Sequence, residues 1–507
     1  MSVLSRAFVE IADVTAVARS EQRVSFARVV ELDLAASRAV VDAVLAEGKP
    51  VYGLNTELGA GRDIVVSNDR IEEFQRRTIR NSSGGLGVPL SREQARAVMF
   101  ARLVGFTRGG AGVTPALAAQ YLQLLNRDVV PLVPRTGSVG AADLTALAAI
   151  AAVATGTGQA LLNGETVSGA DALAAAGLSP VTLQAHEGLA VMSSNAYSVG
   201  VGALVIADLR VILRSADDVL SLSLTALAGH STGGNPSPFS EEVQAAHRAP
   251  GQAASAARVR ALLGEGRTAS TQDPISFRSA PQVHGAARDA IEQTASLVTL
   301  ELNSRTENPL VDVESGRMIS GGNFQVVGLA LGFETLRIAL GHVAVTSERR
   351  LARLSGLAAD LRRSARATVP GLIWYSAAAM VAEIRHLANP VSLAGTSLSE
   401  DVEDHSSNAA LALQLLERSA ALTRTVLAVE AIAAVELVML ADDPFVASAA
   451  LQPLVDLLAP LVARAGGAGA GAGTGAGADA GGGAGAGTLS AQELVDAVER
   501  ILFPSAS

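Results

Sequence analysis

Gly137-Ser138-Val139-Gly140-Ala141-Ala142-Asp143-Leu144 is the stretch on which the reading of this chain turns. It joins two kinds of sequence. Upstream, residues 129–140 hold two Pro and two Gly, which is the composition of a loop that positions something. Downstream, residues 144–155 are only Ala, Leu, Ile, Val and Thr. A segment apolar on every side reads as a buried helix.

Helical patterning dominates outward from there. Residues 94–104 have helical spacing, and 191–227 form a long Ala/Val/Leu run. Further helices are predicted over 286–302, 328–354, 372–388 and 407–442. Long helices with few strand signals predict a mainly α protein, an elongated helical bundle with a loop-rich N-terminal part. The chain divides into a loop-rich active-site part (1–200), a central long-helix bundle (201–465), a Gly/Ala segment (466–487) and a C-terminal helix (488–507). Gly at alternate positions blocks a stable helix, so 466–487 reads as a flexible linker. Ser490-Ala491-Gln492-Glu493 has capping-box spacing, and Leu494, Val495, Val498, Ile501 and Leu502 make an apolar stripe, so the last helix is expected to dock on the body.

Composition bounds the function. The chain has 507 residues, 49% hydrophobic but only 3% aromatic, which suits closely packed Ala-rich helices. A net charge of −10 argues against nucleic acid as a partner. With no Cys there is no disulfide framework, thiolate nucleophile or Cys-ligated metal. The seven His are scattered, and no metal site or dissociable cofactor is expected. Residues 1–20 lack a continuous apolar region of the signal-peptide kind, and apolar runs such as 144–153 are short for a bilayer. A cytoplasmic protein without membrane partners is the expectation.

Five constellations carry chemistry: Tyr52-Gly53-Leu54-Asn55-Thr56-Glu57-Leu58-Gly59; Glu187 to Asn195; Gln272-Asp273-Pro274-Ile275-Ser276-Phe277-Arg278; Asn308-Pro309-Leu310 with Gly321-Gly322-Asn323-Phe324; and Glu403-Asp404-His405. Together with the opening stretch they resemble, in order, the motifs of the histidine and phenylalanine ammonia-lyase family. The likeness runs over about residues 51–442. The fold it implies is the fumarase/aspartase-like helical bundle, although the Gly-Ser-Ser-x-Met-Pro loop of the fumarase and aspartase branch has no match here. Family members place an Ala-Ser-Gly triplet between Gly-Ser-Val-Gly and Asp-Leu, and that triplet cyclises into an electrophile. Here Ala141-Ala142 stands in its place.

The resemblance implies roles. Tyr52 is the base that removes a β-proton. An ordinary Tyr has a pKa of ~10, so it needs cations or backbone dipoles to act at neutral pH. Arg278 pairs with the substrate carboxylate, a task suited to a planar guanidinium. Asn308 holds that carboxylate or the loop, Phe324 packs under the active centre, and Glu403 faces the amine or ring. Gly59 and Gln272 belong to the substrate-binding set. Asn81 and Ser82 line the side-chain pocket, and their polarity favours a hydrogen-bonding or imidazole-like group. Glu57 puts a new carboxylate beside the pocket. Ala141, Ala142, Ser193 and Ile275 occupy positions where the family has electrophile-forming or proton-handling groups.

Three readings follow. The leading one is a carbon–nitrogen lyase that works by Tyr-base β-elimination without the electrophile, on an amino-acid-like substrate whose leaving group departs readily. The family is known to include such a branch, which acts on a trimethylammonium betaine of a thiol-imidazole amino acid. The second is an ordinary histidine or aromatic amino acid ammonia-lyase with an unrecognised electrophile. The third is a non-catalytic paralogue that binds a carboxylate ligand. The resemblance also implies a homotetramer with shared active sites.

Overall fold

The computed structural model describes residues 2–263, 270–363, 367, 369–441, 447–465 and 488–504. The Gly/Ala segment 466–487 and the end of the predicted 407–442 helix at Asp442 lie outside them.

Eight helices position the site: α1 (Ile71–Ser82), α2 (Arg92–Thr107), α3 (Leu144–Ala154), α4 (Ala196–Gly229), α5 (Ala280–Leu302), α6 (Val327–Arg363), α7 (Ile373–Leu387) and α8 (Ala409–Met439). The longest, α4, α6 and α8, run side by side as the bundle's spine, with α5 and α7 packed against them. Two of these, α4 and α6, are long and apolar enough to cross a bilayer by length and composition. Their most apolar windows are instead 78% and 61% buried inside the protein. One continuous core of Ala, Val and Leu side chains runs through the bundle. Small side chains let the helices approach closely.

The spine carries a buried ionic knot. Glu430 of α8 accepts from Ser223 of α4 (2.7 Å), from Ser347 of α6, and from Arg350 of α6 through Nε (2.6 Å) and Nη2 (2.9 Å). The Glu430 and Arg350 side chains are both fully buried.

The N-terminal part is more helical than its loop-rich composition predicts. Helices Ile11–Arg19, Arg28–Ala46 and Pro115–Asn126 join α1, α2 and α3 there. Among the described residues, four small sheets brace the loops. They pair Ser2–Leu4 with Val24–Phe26, Leu86–Pro89 with Pro134–Thr136, and Leu310–Asp312 with Arg317–Ile319. In the fourth, Gln159–Leu162 lies between Val130–Pro131 and Glu165–Ser168. The helix predicted to begin at residue 191 starts five residues later. Ser193 and Ser194 are tied to other parts of the chain, so the helical ladder starts only at Ala196.

The C-terminal helix, Ala491–Leu502, has the expected capping box. Ser490 accepts from the Glu493 N–H, and the Glu493 carboxylate accepts from the Ser490 N–H at 2.8 Å. Leu494, Val495, Val498 and Leu502 are buried, and the helix packs on α8. Ser490→Ala is expected to cost about 1 kcal/mol through the lost cap. Thermal or denaturant unfolding would measure it, and an unchanged midpoint would contradict the docking.

Candidate active site

The glycine-rich stretch around Tyr52 folds into a turn rather than a regular element. Asn55 directs it, accepting from the Val51 N–H (2.7 Å) and donating to the Lys49 carbonyl (3.0 Å). Gly53 has φ +66°, and a Cβ there would lie 2.2 Å from Leu189 Cδ2. A side chain there would strain the backbone and displace Leu189. Gly59 turns the chain back with φ +57° and donates its N–H to the Tyr52 hydroxyl at 3.2 Å.

The opening stretch forms the facing wall. Asp143 is fully buried and organises it. Its carboxylate accepts from Ser138 Oγ (2.6 Å) and the Ser198 N–H (3.0 Å), and its N–H donates to the Ser194 carbonyl (2.8 Å). Burial pushes the Asp143 carboxyl above its ordinary value, against the pull of those donors. Gly140 has φ +82°, and its carbonyl accepts from Ser407 Oγ at 2.8 Å, so the segment before α8 clamps the loop. Ala141 pairs with Gln325. Ala142 has φ +64°, a left-handed conformation that costs a residue with a Cβ about 1 kcal/mol or more. Ala142→Gly is therefore expected to raise stability by about 0.5–1 kcal/mol. A lowered melting temperature would contradict that conformation.

A third wall comes from the turn before α6. Asn308 Oδ1 accepts from the Gly321 N–H (3.0 Å), and the Asn308 N–H donates to Ser193 Oγ (2.9 Å). The fourth is the short Leu398–Glu403 backbone pairing.

These walls enclose a cavity of about 430 Å³. Tyr52, Ala141, Ala142, Ser193, Asn308, Phe324 and Glu403 all line it. Seven residues spread over more than 350 positions of sequence thus meet in one place. The Tyr52 hydroxyl is held above its ordinary pKa, first by burial and further by the Glu403 carboxylate, while the Gly59 N–H pulls it down. Within one chain these influences together favour the neutral hydroxyl.

Arg62 and Asp63 also line the cavity. Sequence reasoning missed both. The available signal was the Gly59-Ala60-Gly61 turn, a short 3₁₀ helix that brings the following residues back to the cavity.

Other predicted residues lie elsewhere. Glu57 does not line the cavity; Arg77 holds its carboxylate at 2.6 Å. Gly59 acts as a turn and hydroxyl donor rather than a wall. Asn81 and Ser82 end α1, with Asn81 exposed, and neither is among the lining residues. Arg278, Gln272 and Ile275 are also outside the lining of their own chain's cavity. With its amide oriented so that the oxygen faces Arg278, Gln272 accepts from that guanidinium at 2.9 Å. Ile275 is 65% exposed. Among the described residues no group of three or more His, Asp or Glu converges as metal ligands would.

The aromatic amino acid lyase family model matches residues 9–459. The chain belongs to that family. It is an ammonia-lyase-like enzyme with the family's helical fold. A histidine ammonia-lyase of Symbiobacterium thermophilum is 35% identical over 444 residues, covering 85% of this chain and 86% of that one. The solved histidine ammonia-lyase of Trypanosoma cruzi superposes with a TM-score of 0.84 at 26% identity, covering 99% of this chain and 93% of the other. The Treponema denticola ergothionase structure has a TM-score of 0.88 at 24% identity, covering 99% and 98%, a likeness of fold.

The family's electrophile needs a Ser whose hydroxyl leaves as water in the cyclisation. The two lyase-loop residues on the cavity wall, Ala141 and Ala142, carry only methyl groups. These residues do not fit the group, and no step is routed through it.

Proposed function

We propose that this chain is a carbon–nitrogen lyase that eliminates by a tyrosine base alone. Its substrate is an amino-acid-like carboxylate with a polar or imidazole-like side chain and a good leaving group. The observation that carries the reading is the shared cavity: Tyr52, Glu403, Asn308 and Phe324 line it beside two alanines that cannot cyclise. Tyr52 as phenolate takes the β-proton. The C–H electron pair becomes the new Cα=Cβ bond, and the Cα–N bond breaks with its pair leaving on nitrogen. Glu403 orients the amine or ring. Asn308 Oδ1 is engaged by the Gly321 N–H, so it is the amide Nδ2 that would face the carboxylate.

Arg278, Gln272, Asn81 and Ser82 complete the site in this reading by assembly. The exposed segment carrying Arg278 would reach the cavity of another copy in a homotetramer. That delivery would also bring a second cation to a cavity that Arg62 already lines. A stable monomer with full activity in sedimentation would overturn the shared-site part.

A second reading, an ordinary histidine ammonia-lyase, is favoured by relatives of that name at about 35% identity. A turnover panel separates the two. Natural aromatic amino acids and histidine are presented beside their N-trimethyl and N-hydroxy derivatives, and acrylate absorbance and released amine are followed together. Turnover only of the derivatives supports the electrophile-free lyase. Turnover of free histidine supports the second reading.

A further inference from the structure

The Ser193-Ser194-Asn195 turn has a second face, away from the substrate cavity. Asn195 stands immediately before α4, yet its side chain makes no capping hydrogen bond. The residue is 2% exposed, and neither its Oδ1 nor its Nδ2 has a partner. Glu301 sits in the last turn of α5. Its Oε2 is buried and also unpartnered, and burial pushes the carboxyl up to about 7.

Both residues line the same small pocket, of about 10 Å³, together with Gly105, Ser194, Ser304 and Thr306. That is the space of one water molecule by the same kind of measure, roughly 10–15 Å³. A water in such a site needs two to four polar partners. The Asn195 amide and Glu301 Oε2 supply a donor and two acceptors. A carboxyl poised near neutrality offers either a proton or a lone pair. Unpaired polar groups at this depth are strongly disfavoured.

We propose that one ordered water molecule in this pocket bridges Asn195 and Glu301, and that through it Glu301 positions the turn forming the back of the substrate cavity. The consequence follows from the other face of the turn. Ser193 Oγ accepts from the Asn308 N–H, and the Ser194 carbonyl accepts from the Asp143 N–H. A tether on Asn195 therefore sets two walls of the cavity at once. Glu301 is a positioning residue and touches no substrate.

The test is a high-resolution crystal structure of the full-length protein, with Glu301→Gln and Glu301→Leu solved alongside. The expected result is density for one water at about 2.7–3.2 Å from both Asn195 and Glu301. Glu301→Gln keeps the water and the Ser193–Asn308 contact. Glu301→Leu loses the water, displaces the turn, and shifts the unfolding equilibrium by roughly tenfold or more, which the Gln variant does not. A dry pocket in the wild type, or a direct Asn195–Glu301 hydrogen bond, overturns the water site even if the Leu variant does not fold. A Leu variant with an unmoved turn and wild-type stability overturns the positioning role. None of these readouts uses turnover, so they stand apart from the reaction assigned above.

Discussion

Tyr52→Phe is expected to reduce turnover by roughly a hundred- to ten-thousand-fold while leaving substrate affinity nearly unchanged. The substitution removes one oxygen. The ring, the backbone turn through Asn55 and the cavity wall all remain, and the Gly59 N–H loses only a modest hydrogen bond. The lost oxygen is the one the reading assigns to the β-proton. Comparing kcat with KM for the two proteins checks this, and wild-type kcat in the variant would remove Tyr52 from the chemistry. The pH profile adds a sign. A base acts deprotonated, and Tyr52 is held above its ordinary value by burial and Glu403. On one chain's electrostatics kcat/KM therefore rises with pH through neutrality and into the alkaline range. Levelling near pH 7 would instead mean that a further cation acts on Tyr52, as Arg278 of another copy would in the proposed shared site. Removing Arg278 should then move the inflection upward.

Glu430→Ala is expected to produce the largest loss of stability, about 3–5 kcal/mol. The carboxylate accepts four hydrogen bonds, two of them from the fully buried Arg350 guanidinium. Truncation leaves that cation without a counter-charge between α4, α6 and α8. Denaturant unfolding measures the effect. The cost lies in the stranded charge more than in the pair itself. A double variant with Met at both 350 and 430 is thus expected to be more stable than Glu430→Ala alone. The damage should reach the cavity, because α8 begins beside Ser407, which holds Gly140. A loss below about 1 kcal/mol would show that the knot does not hold the spine.

The bundle was legible because its cause is local. A 3.6-residue apolar period marks α6, α7 and α8, and an all-apolar run marks α3, to within a few residues, except at α6, which runs nine residues past its predicted end. Ser490 and Glu493 announce their capping box from spacing alone. The start of α4 was not legible, since Ser193 is held by a residue 115 positions away. The cavity lining was legible at Tyr52, Asn308, Phe324 and Glu403, which lie in recognisable motifs. It was not legible where geometry decides. Arg62 and Asp63 reach it only through the Gly59–Gly61 turn. Glu57, one residue beyond Thr56, turns to Arg77 instead. Arg278, Gln272, Asn81 and Ser82 lie outside the lining of the cavity.

The central claim is that this member of the aromatic amino acid lyase family works without a cyclised electrophile. The accurate intact mass of the purified protein tests it most directly. The expected result is the mass of the unmodified sequence, near 51.5 kDa, with no loss of water. A mass lowered by dehydration, with the loss mapped by peptide sequencing to residues 137–144, would contradict it.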